Sequence, residues 1–314
     1  MNCEKIFDYL VENTAKYLKA NNLQCMVLGI SGGIDSTLTA AICSVVENKY
    51  NIPFYGISLP CSTNSNEENN SALKCMKAFC KEGNYWTENL QKEYSLMHST
   101  CSIHGDCTAI GKGNIKARLR MIYLYDIAQK NYGLVMDTDN LTEHYLGFFT
   151  IHGDVADFNP IGGLWKHEVY ELTDWLRGYY DKFTNYVSPD SFDSKDEIET
   201  REKYSRKVIA LSYSLGITPT DGNGVKEGGD MAQIAPAFLS CNNYEAYKKV
   251  DDIIQTYIEY RGHHPEEYQI AIEDLYNKYG KETIDMIINR HKRSEFKRKR
   301  LPIAIDRSEY KQYL

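Results

Sequence analysis

The chain has 314 residues and a formal net charge of −7, which argues against a general polyanion binder and leaves room for one large domain or two small ones. Nine cysteines, an odd number with no C-x-x-C pair, exclude a regular disulfide framework and point to reduced thiols in a cytoplasmic setting. No apolar run approaches the ~20 residues of a membrane span, and the amphipathic opening MNCEKIFDYLVENTAKYL lacks the form of a secretory signal.

Taken in chain order, Ile6, Phe7, Leu10, Val11, Ala15 and Leu18 recur at helical period and predict a helix over 4–20. CMVLGI (25–30) suits a buried parallel strand. Leu38, Ala41, Ile42, Val45 and Val46 then give one apolar helix face. IPFYGISL (52–59), between Asn51 and Pro60, predicts a second strand, and 65–83 a helix ending near Gly83. NYWTENL (84–90) predicts a third strand, 114–133 a helix closed by Gly133, and LVMDT (134–138) a fourth strand. This alternation implies an α/β fold with a doubly wound parallel sheet, residues 1–177. Residues 178–230 differ in character: Ser194 and Glu197 form a capping box, Gly216 ends a helix, and a Gly/Asp-rich loop follows. The remainder, 231–314, reads as helical from about Tyr244, with Pro265 at a first helical position and a basic tail.

Ligands of such sheets bind beyond the carboxyl ends of the strands. Two loops fall there: GISGGIDS (29–36) after the first strand and DTDNLTEHYLGFF (137–149) after the fourth. Gly32 and Gly33 allow backbone amides to approach an anion, the following helix presents its positive end, and Ser31 and Ser36 offer hydroxyls. Asp35 is the odd member, because a carboxylate beside phosphates is repulsive unless a cation intervenes. Mg²⁺ held by Asp35 resolves that conflict; the alternative is a tight strand–helix turn with Asp35 as an ordinary helix-start residue.

SGGIDS matches the S-G-G-x-D-S signature of the PP-loop ATP pyrophosphatases. Together with GNIKARLRM (113–121) and the stretch 137–172, it resembles the NAD synthetase family, ammonia-dependent type. The resemblance is close over about 1–175, lapses over 178–217 and returns in patches to about 302. It implies an adenine nucleotide alpha hydrolase-like, Rossmann-type fold and a carbon–nitrogen ligase. In that reaction deamido-NAD attacks the α-phosphorus of ATP, pyrophosphate leaves, and ammonia displaces AMP from the acyl adenylate. The resemblance places Gly29, Ile30, Ser31, Gly32, Gly33, Ile34, Asp35, Ser36, Thr138, Lys166 and Thr220 at ATP, and Asp35 and Glu143 on Mg²⁺. It places Arg118, Asp157 and Lys297 at deamido-NAD. By the same resemblance, Asp35, Asp154 and Lys166 would carry the chemistry, with Asp154 near ammonia. Each has a plainer reading from the residues alone: Glu143 as a first-turn acid, Lys166 as a surface lysine, Arg118 as an exposed helix arginine, and Thr138, Thr220, Asp154 and Asp157 as turn residues.

The chain departs from the family in places. Asp137 stands where the family has glycine, Ile151 where it has lysine and His152 where it has tyrosine, with one residue missing in this loop. An added carboxylate weakens nucleotide binding unless it turns away or meets a cation, and the missing positive contact would come from Lys112 or the basic tail. That tail, 290–300, has seven Lys or Arg against one acid. It offers two candidates, 291–293 and 296–298, for the family's terminal basic motif. The segment 178–217 reads as an insertion reshaping the ATP-side loop. No glutaminase domain fits ahead of residue 29, so free ammonia is the expected nitrogen source. A homodimer is expected through the helix carrying Ile115, Leu119, Ile122 and Tyr123; neither nucleic acid nor membrane is an expected partner. The competing functions are another PP-loop amidotransferase or tRNA-modifying enzyme, and a non-catalytic nucleotide sensor. Two weaker patterns remain, a zinc site from His98, Cys101, His104 and Cys107 and a calcium loop over 221–230 in which Val225 takes a ligand position.

Overall fold

The computed structural model describes residues 1–61, 65–185, 195–217, 229–262 and 264–299. Strands β1 (Met26–Gly29), β2 (Phe54–Ser58), β3 (Tyr85–Thr87) and β4 (Leu134–Met136) form one all-parallel sheet in the order β3-β2-β1-β4. A single parallel bridge from Met136 to Phe158 extends its edge. The strands are shorter than the apolar runs that mark them, although pairing continues locally, as in Ile30 N to Ile57 O at 2.8 Å.

Period-two alternation divides the sheet between two cores. Met26, Leu28, Phe54, Leu134 and Met136 point to one face, where they meet helices α1 (Cys3–Ala20), α2 (Ile34–Tyr50) and α3 (Asn66–Phe79). Val27, Ile57 and Val135 point to the other, covered by α4 (Gln91–Cys101) and α5 (Ala109–Lys130) through Tyr94, Leu124 and Ala128. Helix α2 has buried residues all round because it lies between the sheet, α1, α3 and later helices. The doubly wound reading is therefore correct. Helix α4, which the sequence left open, begins where Leu90 N bonds Pro60 O at 3.0 Å.

Beyond β4 comes the short α6 (Leu141–Leu146), then α7 (Lys166–Asn185) and α8 (Lys195–Gly216). The boundary drawn at residue 177 falls inside α7, and α8 packs on α7, α3 and α2 within the same core. Helix α8 ends at Gly216 as expected; Ser194 of the expected capping box and residues 218–228 of the Gly/Asp-rich loop lie outside the described residues. The C-terminal part is helical: α9 (Gly229–Ile234), α10 (Asn243–Tyr260), α11 (Pro265–Tyr279, proline at its first position), α12 (Lys281–Arg293) and α13 (Glu295–Arg298).

The basic stretch, as far as residue 299, is packed against the fold. Arg290 Nε donates to Leu146 O at 2.8 Å, Arg298 Nη1 to Tyr145 O at 2.7 Å, and Lys297 Nζ to Gly147 O at 2.8 Å. These cations cap the carboxyl end of α6, where the helix dipole is negative. All nine cysteines are free thiols, and no helix among the described residues is long and apolar enough to cross a membrane. Residues His98, Cys101, His104 and Cys107 do not converge, and no metal-ligand group of three or more His, Cys, Asp or Glu exists among the described residues.

Candidate active site

The loop after β1 places an anion cradle at the strand ends. Gly33 caps α2 in extended conformation with no side-chain cap bond, so the first-turn amides that lack intrahelical acceptors face the cleft. A Cβ on Gly33 would meet nothing closer than Ser31 Oγ at 3.4 Å. Gly32 has a different cause. Its φ is +83°, and a Cβ there would lie 2.4 Å from Ala72 N. Ser71 Oγ also donates to Gly32 O at 2.9 Å. The close approach of α3 therefore demands glycine at 32, whereas a side chain at 33 would have room. Ser31 and Ser36 hydroxyls lie 3.1 Å apart, and Ser36 Oγ donates to Gly33 O at 3.1 Å.

Beside this loop four side chains form a closed ring. Asn140 caps α6: its Oδ1 accepts from Glu143 N at 3.0 Å, and its own backbone N donates to Glu143 Oε2 at 3.1 Å. Asn140 Nδ2 donates to Asp35 Oδ1 at 3.0 Å. The other oxygens, Asp35 Oδ2 and Glu143 Oε1, both accept from Lys166 Nζ, the latter at 3.2 Å. Burial opposes the Lys166 charge, but Asp35 and Glu143 together outweigh it and hold the ammonium well above its usual range. Burial likewise raises the Glu143 carboxyl to about 8 against the pull of Lys166.

Lys166 is 3% exposed because α7 begins inside the protein. Its backbone N donates to Thr142 Oγ1 at 2.9 Å. Thr142 Oγ1 in turn donates to the fully buried Asp251 at 2.5 Å. His167 N also donates to Asp251, at 3.0 Å, and His167 Nδ1 lies 2.8 Å from the same carboxylate. Asp251 of α10 thereby fixes the start of α7 against α6 and aims Lys166 into the cleft. Nothing local in the sequence marks this long-range anchor.

Two adjoining cavities, of about 360 and 860 Å³, share Asp35, Glu143, Thr138, Asp154 and Arg120. The smaller runs under the sheet end between Gly29, Leu59 and Met136; Lys297 and Arg290 line the larger. Asp154 Oδ1 accepts from Thr150 N at 2.5 Å. Desolvation raises the Asp154 carboxyl, and with neighbouring carboxylates it raises Asp139 well above the usual range.

Of the sequence candidates, the fold brings together the 29–36 loop, Thr138, Glu143, Asp154, Lys166 and Lys297. It does not bring Asp157 into either cavity. That carboxylate accepts from Val135 N at 3.0 Å and Tyr125 Oη at 3.0 Å, tying down the sheet edge. Arg118 is exposed on α5, donating to Ile151 O at 3.2 Å; Arg120, two residues on, lines the cleft and bonds Leu59 O at 3.0 Å. Thr220 lies outside the described residues. Asp137 turns inward: its oxygens accept from Asp139 N at 2.7 Å and Ala156 N at 2.8 Å, so it shapes the loop instead of facing the nucleotide. Sequence reasoning missed Asn140, Arg120 and Asp230. Only Asn140 had a signal, the N-x-x-E capping box at 140–143.

A sequence model described as NAD synthase matches residues 6–184. An NH(3)-dependent NAD(+) synthetase from Sulfurisphaera tokodaii is 34% identical over 173 residues, covering 55% of this chain and 60% of that protein. The alignment thus spans less than two thirds of that relative's length. One from Campylobacter jejuni is 30% identical over 210 residues, 66% of this chain and 81% of its own length. Among solved structures, an NMN synthetase from Francisella tularensis superposes with a TM-score of 0.67 at 22% identity, covering 98% of both chains; this similarity concerns the fold.

Proposed function

The chain belongs to the NAD synthase family, and we propose that it amidates the carboxylate of deamido-NAD with free ammonia, consuming ATP to AMP and pyrophosphate. The observation that carries this reading is the meeting of Asp35 Oδ2 and Glu143 Oε1 on one cation, the Lys166 ammonium, beside the first-turn amides of α2. Two carboxylate oxygens next to a phosphate cradle suit Mg²⁺, which is held by one or two carboxylates plus phosphate oxygens. Bound there, Mg²⁺ would neutralise the charge of the triphosphate.

A carboxylate is a poor acceptor of ammonia because its carbon is shielded by shared negative charge. Adenylation by attack on the α-phosphorus supplies a leaving group. In this reading the first-turn amides of α2 and the hydroxyls of Ser31 and Ser36 hold the departing pyrophosphate. Lys166 then faces the phosphates as a point charge, and Thr138 borders the nucleotide. Lys297 and Arg120 supply the positive contacts that Ile151 does not, and Asp154 accepts a proton as ammonia attacks. The inward turn of Asp137 removes one motive for a sensor without turnover. Arg118 would meet substrate only at a subunit boundary. Of the residues expected at a dimer face, Ile115, Leu119 and Tyr123 pack against the core under the sheet and Ile122 is exposed; with the exposed Leu96, Ile103 and Ile110 it fits a homodimer there. A cytoplasmic setting suits the free thiols.

The test is pyrophosphate release with ATP, Mg²⁺ and ammonium across several acceptors. The panel includes the mononucleotide counterpart of deamido-NAD, because an NMN synthetase shares the fold. Release with deamido-NAD is expected. Release with another acceptor alone overturns the substrate, and ADP with orthophosphate overturns the reaction.

A further inference from the structure

We propose that Asn140 is a positioning residue that sets the separation and orientation of the two carboxylates for their cation. The argument rests on which oxygens are already engaged. A carboxylate can rotate and bind a cation through either oxygen or both. Here one oxygen of each is committed to Asn140. Asp35 Oδ1 accepts from Asn140 Nδ2 at 3.0 Å, and Glu143 Oε2 accepts from Asn140 N at 3.1 Å. Only Asp35 Oδ2 and Glu143 Oε1 remain, and both point to the same cation, the Lys166 ammonium.

Asn140 is fully buried and thereby denied alternative rotamers. Its Oδ1 is fixed by Glu143 N at 3.0 Å, which orients Nδ2 toward Asp35. One side chain therefore couples the first turns of two helices, 105 residues apart in the chain. Outer partners of metal-binding carboxylates orient their lone pairs, and losing one typically weakens metal binding about 10–100-fold.

An ordinary N-cap needs only the bond to Glu143 N, which serine also makes. Serine keeps the backbone bond to Glu143 Oε2 but is too short to reach Asp35. Asn140→Ser thus removes the tether and retains the cap, whereas Asn140→Ala removes both.

This inference rests on the proposed cation site. The experiment titrates Mn²⁺ by electron paramagnetic resonance into full-length protein saturated with an ATP analogue carrying a methylene between the α- and β-phosphorus, and records thermal melting in parallel. No acceptor is present, so a wrong acceptor assignment leaves the readout untouched. The expected result is about tenfold weaker Mn²⁺ binding by Asn140→Ser, with a melting temperature close to the parent's and lower only in Asn140→Ala. Parent-like Mn²⁺ binding by Asn140→Ser overturns the positioning role. So does weakened binding accompanied by a melting loss equal to that of Asn140→Ala, which makes Asn140 a cap alone. Absence of Mn²⁺ binding by the parent, or its survival in Asp35→Asn, overturns the cation site itself.

Discussion

Lys166, at the start of α7, donates to the Asp35 carboxylate at the start of α2, 131 residues away in the chain. In the proposed function a divalent cation would meet both Asp35 and Glu143 where the ammonium now sits, so lysine and metal would compete for one place. Replacing Lys166 by Met should strengthen Mn²⁺ binding in the absence of nucleotide, measured by calorimetry. It should also lower kcat/KM on the order of 10²-fold through loss of a phosphate contact. Unchanged metal affinity would mean that the two cations occupy different places.

Asp35→Asn preserves shape and the chance of a bond to Asn140 but removes a charged ligand. Turnover should fall at least about a hundredfold, more than the loss expected for an outer partner. Circular dichroism should stay near the parent's, while melting falls because the buried Lys166 ammonium keeps only Glu143 as its counter-charge. Normal pyrophosphate release in this variant would remove Asp35 from the reaction.

Gly32→Ala tests the cause assigned to that glycine. The positive φ and the 2.4 Å approach to the Ala72 backbone together predict destabilisation of more than ~1 kcal/mol. Denaturant unfolding reads this without ligand. A neutral result would mean that α3 shifts at little cost.

Lys207, 5% exposed on α8, has its Nζ 4.6 Å from the Tyr180 ring centre and 5.7 Å from that of Tyr204. Burial, with Lys203 nearby, lowers its pKa from 10.5 to about 8. Between about 8 and 10.5 the unfolded chain holds the proton more tightly, so stability rises with pH across that window and the penalty is complete below it. Lys207→Met should raise stability at neutral pH by up to about 3 kcal/mol and flatten that rise. Chemical denaturation across this pH range is the measurement.

Lys297 donates to Gly147 O at 2.8 Å and to Phe149 O at 2.5 Å while lining the larger cavity. Lys297→Met should raise the KM for the acceptor about tenfold, the loss expected of one charged hydrogen bond, and leave the KM for ATP nearly unchanged. An equal rise in both would place Lys297 at the nucleotide.

The alternation of apolar strands with amphipathic helices, the glycine turn at 32–33 and the N-x-x-E cap at 140–143 are local patterns, so the chain alone determined the parallel sheet and the edge that carries the cleft. Which side chains enter that cleft was decided by packing between distant segments. Arg118 and Arg120 differ by about 200° around a helix, and only the burial of Leu124 and Ala128 under the sheet turns Arg120 inward and leaves Arg118 outside. Asp137 faces the amide of Ala156, and Asp157 that of Val135, because these chain segments lie side by side only in the fold. The basic stretch is likewise drawn to carbonyls at the end of α6, more than 140 residues earlier. Charge and periodicity along the chain describe what a residue can bond; its partner is set by which unsatisfied group the tertiary packing brings within reach.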